Sequence, residues 1–188
     1  RVRRQRQMCI RDRGILWLTG SHDLTQVVFK YHPYIINKLD VGEDEVFSVN
    51  ASPDGHIWAG YHNGVIQVLN ASYQSIGYLS PSGQIVPQQV NFDEKGIFAI
   101  HFDIKGRAWI GTNGNGVYLI DKMQVRHFVY DANNSSSLPF DKIQDIVADR
   151  TGRIWIGTYG GGLALVNEAA DGSISFISKR NGLPWEKL

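Results

Sequence analysis

Cysteine is nearly absent from this sequence, and so is any long apolar run. The single cysteine among 188 residues is Cys9, so the chain can form neither an internal disulfide nor a cysteine-based metal site. No apolar stretch approaches the roughly 18 residues that a membrane-spanning helix requires. These absences exclude a disulfide-stapled domain and a helical membrane segment within these residues.

An excess of basic charge is also missing after residue 13. Six of the 19 lysine and arginine residues lie within residues 1–13, against a single acid, Asp12. The remaining residues are net negative and contain no basic stripe that would follow a phosphate backbone. No nucleic-acid partner is therefore expected. Residues 1–13 are expected to be a disordered arm or a translated sequencing adapter.

Glycine, in contrast, is abundant. The chain contains 20 glycines and 43% hydrophobic residues, whereas only 20% of its residues are charged. This composition supplies enough apolar surface for a buried core and favours a turn-rich all-β protein over a helical one.

One phrase occurs four times along the chain and organises the sequence. It consists of an aspartate, a short turn that ends in glycine, a tryptophan soon after, and then glycine or threonine. The copies lie at residues 12–20, 54–60, 103–112 and 149–158. Their tryptophans are separated by 41, 51 and 46 residues, a period that is typical of β-propeller blades.

Each phrase belongs to a unit of short strands joined by turn signals. The last unit predicts strands at Ile143–Asp149, Arg153–Thr158, Gly162–Asn167 and Ser173–Ser178. The two units before it predict strands at 97–103, 107–112, 116–121 and 125–130, and at 46–51, 56–61, 65–70 and 75–80. The front of the chain predicts strands at 15–19, 25–29 and 34–38, from a blade whose first strand is missing. The link at 81–96 is longer than the others and is expected to carry an insertion.

These units predict an all-β fold, a partial β-propeller of about three and a half four-stranded antiparallel blades. The propeller is expected to cover residues 14–188, with blades at about 14–40, 41–81, 96–131 and 141–179 and the start of a further link at 180–188. The complete ring is expected to have about seven blades.

The strand at Arg153–Thr158 is apolar or small on both faces. Alternation places Ile154 and Ile156 on one face, and Trp155 with Gly157 on the other. A strand that is half exposed to water would alternate apolar with polar residues, so we expect sheets to cover both faces. The tryptophans would then anchor neighbouring blades, and each glycine two residues later would leave room for the backbone or indole of the next sheet. The structural residues of the repeat are Trp17, Trp58, Trp109, Trp155, Gly60, Gly111 and Gly157.

The pattern D-x-x-G-x-[IA]-W-I-G-T, followed by NGNGVYLI or YGGGLALV, resembles the two-component regulator propeller repeat. The links Asn134–Pro139 and Arg180–Pro184 also resemble those between blades of that family. The resemblance implies the periplasmic sensor region of a bacterial histidine kinase, whose kinase domain lies elsewhere in the chain. It also implies a ligand such as an oligosaccharide released from complex carbohydrates, contacts with other blades of the same chain, and a homodimer in the full-length receptor.

No catalytic arrangement can be recognised in the sequence. The glycine-rich loops run into strands rather than helices, so they indicate hairpin turns and not phosphate sites. The six histidines lack metal-ligand spacing, and no metal or cofactor is expected. The acids at 43–45 and at Asp93-Glu94 are interpreted as solvated turn charges, and Asp54, Asp103 and Asp149 as residues that bond to the backbone of their turns.

Three positions are candidates for ligand binding. His62, Asn113 and Tyr159 follow the repeated phrase at equivalent places, and variable polar residues at one repeated turn are typical of a binding rim. The leading interpretation is a non-enzymatic ligand sensor. The alternatives are a propeller that acts as a protein-interaction scaffold, or a fragment of a propeller lyase or glycosidase.

Overall fold

The computed structural model describes the backbone of four strands between residues 11 and 37, and the whole of residues 44–182. Within these ranges the chain forms strands and no helix. The strands are β1 (Arg11–Asp12), β2 (Ile15–Thr19), β3 (Leu24–Val28), β4 (His32–Asn37), β5 (Val46–Ala51), β6 (Ile57–Tyr61), β7 (Ile66–Leu69), β8 (Ser75–Leu79), β9 (Ile85–Val86), β10 (Ile97–Phe102), β11 (Ala108–Thr112), β12 (Val117–Asp121), β13 (Gln124–Phe128), β14 (Ile143–Ala148), β15 (Ile154–Thr158), β16 (Gly162–Glu168) and β17 (Ile174–Ser178).

These strands form four antiparallel sheets, each a meander in chain order. The first sheet contains β1–β4, the second β5–β9, the third β10–β13 and the fourth β14–β17. The predicted fold class, an all-β partial propeller, is confirmed. In the first sheet, the two-residue strand Arg11–Asp12 pairs with Ile15 and Leu16. It occupies the place of the first strand, which the sequence analysis expected to be missing from this blade. The side chain of Trp17, the rest of residues 1–13 and residues 183–188 lie outside the described residues.

The long link at 81–96 contains a strand that the sequence did not predict. Ile85 and Val86 pair with β8 and extend the second sheet to five strands. Gly77 allows this pairing, because it has a φ of 145° and a side chain there would lie 2.6 Å from the carbonyl oxygen of Val86. The extra strand therefore depends on a glycine in the strand beside it.

Neighbouring sheets stack face to face, and their buried side chains form the cores. The first strand of the third sheet lies against the first strands of the second and the fourth. Between the second and third sheets the core contains Trp58, Ile66, Val68, Leu79, Ile97, Ile100 and Ile110. Between the third and fourth sheets it contains Trp109, Val117, Leu119, Ile143, Ile146, Ile156 and Phe176.

The glycines two residues after Trp58 and Trp109 face the next sheet. A methyl group at Gly60 would lie 2.5 Å from Cγ2 of Ile97, and one at Gly111 would lie 2.5 Å from Cγ2 of Ile143. At Gly111 the group that needs this space is thus an isoleucine side chain of the next sheet, and at Gly60 it is an isoleucine of the next sheet together with the hydroxyl of Ser48. At Gly157, in the fourth sheet, the nearest atom would be 3.8 Å away.

Candidate functional site

The two ends of the sheets differ in chemistry. At one end, the turns between the first and second strands of the third and fourth sheets carry the repeated aspartates Asp103 and Asp149. At the other end lie the turns between second and third strands, together with the links that enter each sheet. We call this second end the rim, defined by His62, Asn113 and Tyr159 and by the link residues Phe140 and Lys142.

At the aspartate end, one carboxylate organises the whole turn of the third sheet. Oδ1 of Asp103 accepts hydrogen bonds from the backbone N–H groups of Lys105 at 2.9 Å and Arg107 at 3.0 Å. Oδ2 accepts from Nε of Arg107 at 2.8 Å and from the indole Nε1 of Trp109 at 3.0 Å. Burial works against the ionised carboxylate, but the hydrogen bonds from Trp109 and Arg107, with the charge of Arg107, hold the pKa of Asp103 below its usual value. The aspartate therefore fixes both the turn and the orientation of the tryptophan.

The fourth sheet repeats this arrangement, whereas the second does not. Asp149 accepts from Nε of Arg153 at 2.6 Å and from Nε1 of Trp155 at 3.0 Å. In the second sheet, Ser52 stands at the place of these aspartates, six residues before the tryptophan. Asp54 instead accepts a hydrogen bond from the Ser52 hydroxyl and lies 2.8 Å from Nδ1 of His56. Asp54 thus bonds within its own turn to Ser52 and His56, whereas Asp103 and Asp149 bond to an arginine and an indole.

An ion-pair network joins the third and fourth sheets at the aspartate end. The guanidinium of Arg107 donates to both carboxylate oxygens of Glu168, at 2.8 and 2.9 Å, and Lys105 donates to Glu168 at 2.8 Å. Chiefly through the bonds from Arg107, this network lowers the pKa of Glu168 to about 2. A pocket of about 170 Å³ lies beside the network, and its charged groups are already paired with one another.

The three candidate ligand-binding residues occupy equivalent places on the rim. The backbone N–H of each donates to the residue just before the first strand of its own sheet: His62 to the carbonyl of Glu45 at 2.9 Å, Asn113 to Gly96 at 2.8 Å and Tyr159 to Lys142 at 2.8 Å. The three turns therefore have the same relation to their links.

The links also connect these turns into one arc. A side chain at Gly96 would lie 2.6 Å from the carbonyl oxygen of His62, so the link into the third sheet passes directly over the turn of the second. In the same way, Asn113 forms a β-bridge with Lys142 of the link into the fourth sheet. Each rim turn thus contacts the link that enters the next sheet.

The side chains of the three residues have different surroundings. His62 is exposed and lies edge-on to Phe47, with ring centroids 5.1 Å apart. Asn113 is partly buried, and its side chain forms no hydrogen bond with the described residues. Tyr159 is 63% exposed, and Nζ of Lys142 lies 4.8 Å from its ring centroid.

Two link residues that the sequence analysis did not select complete this part of the rim. Phe140 is 44% exposed, and its ring lies 3.9 Å from the position that a side chain at Gly160 would occupy. Lys142 lies over Tyr159. The order of the strands could have identified both residues. In an antiparallel meander, the residues before the first strand lie at the same end of the sheet as the turn between the second and third strands.

The acid cluster at Asp93 does not match its interpretation as a solvated turn charge. Asp93 is 7% exposed. Its Oδ2 accepts from the hydroxyl of Tyr118 at 2.6 Å and from Nδ2 of Asn115 at 2.7 Å. The carboxylate therefore fastens the long link to the third sheet, which is a structural role.

The described residues contain neither a metal-binding cluster nor a membrane-spanning helix. Among them, no three histidine, aspartate or glutamate side chains are grouped so as to hold a metal ion. None of the elements they form is a helix long and apolar enough to span a membrane.

A family model described as the two component regulator propeller matches residues 137–160. This segment contains the link at Pro139, the strands β14 and β15, and the turn at Tyr159. The chain thus carries this repeat, as its motif predicted. A search of curated proteins gave no significant match.

Solved structures similar to this chain are propellers. The extracellular domain of BT4673 from B. thetaiotaomicron, described as a hybrid two component system, is 24% identical, with a TM-score of 0.65 over 86% of this chain and 21% of that one. The extracellular domain of BT3049 from the same organism, with the same description, is 16% identical, with a TM-score of 0.61 over 94% and 27%. A virginiamycin B lyase from Staphylococcus aureus is 17% identical, with a TM-score of 0.61 over 90% and 53%. The chain therefore spans about a quarter of the length of the two sensor domains and about half that of the lyase.

Proposed function

We propose that this chain is a ligand-sensing propeller segment of a two-component signalling histidine kinase, and that its ligands are carbohydrate breakdown products. The observation that carries the proposal is the match of residues 137–160 to the two component regulator propeller. The matched segment contributes Phe140, Lys142 and Tyr159 to the rim.

The rim provides a physical basis for sensing. Asn113 of the third sheet and Lys142 of the link into the fourth are held side by side by backbone pairing. A ligand that touches both would favour one relative position of the two sheets. Its binding can change their packing only by as much as its affinity differs between the two positions.

The proposed location is the periplasm, as the extracytoplasmic part of an inner-membrane protein, and the proposed assembly is a homodimer of the full-length receptor. The descriptions of BT4673 and BT3049 as extracellular domains of hybrid two component systems support this location. The kinase would belong to another part of the same protein.

We further propose that this segment has no catalytic role of its own. The carboxylates Asp103, Asp149 and Glu168 are each bonded to arginine side chains, and Asp93 is bonded to a tyrosine. These are structural pairings, which leave none of the four free to act as a general acid or base. The likeness to a lyase concerns the fold.

The experiment is to clone the whole gene and assay the purified protein in membrane vesicles for autophosphorylation. We expect a membrane span and a kinase domain downstream of this segment. We also expect a change in phosphorylation rate when oligosaccharides from digested plant or host glycans are added on the propeller side. A gene that ends without a kinase would favour the scaffold, and consumption of the oligosaccharides would favour the lyase or glycosidase; either result would overturn the proposal.

A further inference from the structure

We propose that Tyr159, Phe140, Lys142 and Asn113 form a single sugar subsite, and that it prefers a ring bearing a carboxylate, such as a uronic acid. This inference rests on the proposed function, because it assumes that the rim is the ligand-binding end. It adds the position of the subsite, at the junction of the third and fourth sheets, and the charge of the ligand.

The two aromatic rings form the base of the subsite. Tyr159 is 63% exposed and Phe140 is 44% exposed. Gly160 follows Tyr159 in the chain, and the Phe140 ring lies 3.9 Å from the position that a Cβ atom on Gly160 would occupy. Exposed aromatic side chains are characteristic of binding surfaces. The apolar C–H face of a pyranose ring is of a size and polarity that can stack on such rings.

The lysine supplies the preference for an acid. Nζ of Lys142 lies 4.8 Å from the centre of the Tyr159 ring, and it forms no ion pair with a carboxylate of the described residues. One oxygen of the neighbouring carboxylate, Oδ1 of Asp141, accepts a hydrogen bond from the backbone N–H of Tyr130 at 2.6 Å. Lys142 is therefore available for a ligand carboxylate while it borders the ring on which the sugar would stack.

The asparagine supplies polar groups for the hydroxyls. Asn113 is held beside Lys142 by a β-bridge, yet its side-chain amide forms no hydrogen bond with the described residues, and its Oδ1 is buried without a partner. Turning this amide toward the rim would break no hydrogen bond and would relieve an unsatisfied acceptor. A sugar hydroxyl can donate to Oδ1 or accept from Nδ2.

The test measures binding of matched acidic and neutral trisaccharides to the 188-residue chain by isothermal titration calorimetry. The probes are the α-1,4-linked trimers of galacturonate and galactose and the β-1,4-linked trimers of glucuronate and glucose, so that the two members of each pair differ in the carboxylate. We expect one acidic trimer to bind at least tenfold more tightly than its neutral counterpart, with a preference that weakens as salt is added.

Four variants assign the binding to the subsite. Lys142→Gln should remove the preference for the acid, and Tyr159→Ala should weaken binding of both trimers at least tenfold, whereas Tyr159→Phe should bind like the wild type. The control is Lys122→Gln, which removes the same charge from the turn between β12 and β13 at the aspartate end. Unfolding midpoints of all variants should match that of the wild type.

Three results would overturn the inference, and each is separate from the proposed function. Equal affinity for acidic and neutral trimers, lost in Tyr159→Ala, would remove the charge preference and leave a sugar sensor. Binding that survives Tyr159→Ala would place the ligand elsewhere. Absence of binding by all four trimers, while the whole protein still changes its phosphorylation rate with glycan digests, would overturn the subsite and leave the sensor role intact.

Discussion

Alanine substitutions at two equivalent glycines, Gly111 and Gly157, test the packing of the sheets directly. Gly111 and Gly157 both stand two residues after a repeated tryptophan, and both have backbone conformations that accept alanine. A methyl group at Gly111 would lie 2.5 Å from Cγ2 and 2.9 Å from Cβ of Ile143, about 1 Å closer than carbon atoms approach without repulsion. At Gly157 the nearest atom is a backbone oxygen 3.8 Å away, which is an ordinary contact.

We therefore expect Gly111→Ala to lower the free energy of unfolding by about 1–3 kcal/mol, the usual range for an overpacked core. Gly157→Ala should be neutral or should raise it by about 0.4–1 kcal/mol, because alanine restricts the unfolded chain. The assay is urea unfolding followed by tryptophan fluorescence, with the slope m compared among the variants.

A rescue variant separates the steric clash from other effects of the added methyl group. Ile143→Ala removes the Cγ2 atom that the new methyl would strike, so it should cost less in the Gly111→Ala background than in the wild type. A double-mutant cycle should give a coupling of about 1 kcal/mol or more between the two positions. Equal losses for the two glycine variants, or no coupling to Ile143, would refute the proposed close contact between the third and fourth sheets.

Three further predictions concern the repeated tryptophans and two ionisable side chains. Trp109→Ala should cost about 3–5 kcal/mol in urea unfolding, and more than Trp155→Ala, because Trp109 is fully buried and Trp155 is partly exposed; similar losses would contradict this. The pKa of Glu168 is lowered to about 2, so its ion pairs with Arg107 stabilise the fold at pH values above its ordinary pKa of 4.5. This stabilisation is lost as the pH falls toward 2. The free energy of unfolding of Glu168→Gln should therefore vary less with pH over this range than that of the wild type. Burial lowers the pKa of His101 from 6.5, so the free energy of unfolding should fall as the pH drops below 6.5. His101→Asn should lose that pH dependence. If the free energies of unfolding of wild type and variant fall in parallel with pH, another group is responsible.

The fold was predictable because the repeat supplies several independent signals at once. The spacing of Trp58, Trp109 and Trp155 gave the period, and the two apolar faces of the strand around Trp155 indicated stacked sheets. The strand ends were less well predicted: the second strands begin at Ile57, Ala108 and Ile154, one residue later than expected. The residue before each of these strands belongs to the turn, where its backbone bonds to the aspartate or serine at the start of that turn.

Features formed between distant residues could not be predicted from the repeat. The pairing of Arg107 with Glu168 joins residues in different sheets, and neither sequence position reveals the other. The burial of Asp93 depends on Tyr118, which comes from a strand of the next sheet. The strand at Ile85–Val86 is two residues long and lies in a single insertion, so neither periodicity nor comparison among the repeats could indicate it.

The contacts between sheets differ at the two ends, and this difference supports the rim as the sensing end. At the aspartate end, the third and fourth sheets repeat the same carboxylate, arginine and indole contacts, and bidentate ion pairing between Arg107 and Glu168 ties those sheets together. A hinge between two sheets needs one end that stays fixed and one whose separation can change. At the rim, the third and fourth sheets meet through backbone contacts instead of ion pairs between the described residues: the bridge between Asn113 and Lys142, and the hydrogen bond from the N–H of Gly116 to the carbonyl of Asp141. A ligand seated there contacts both sheets at the end away from these ion pairs, and it shifts their relative position by as much as its affinity differs between the two arrangements.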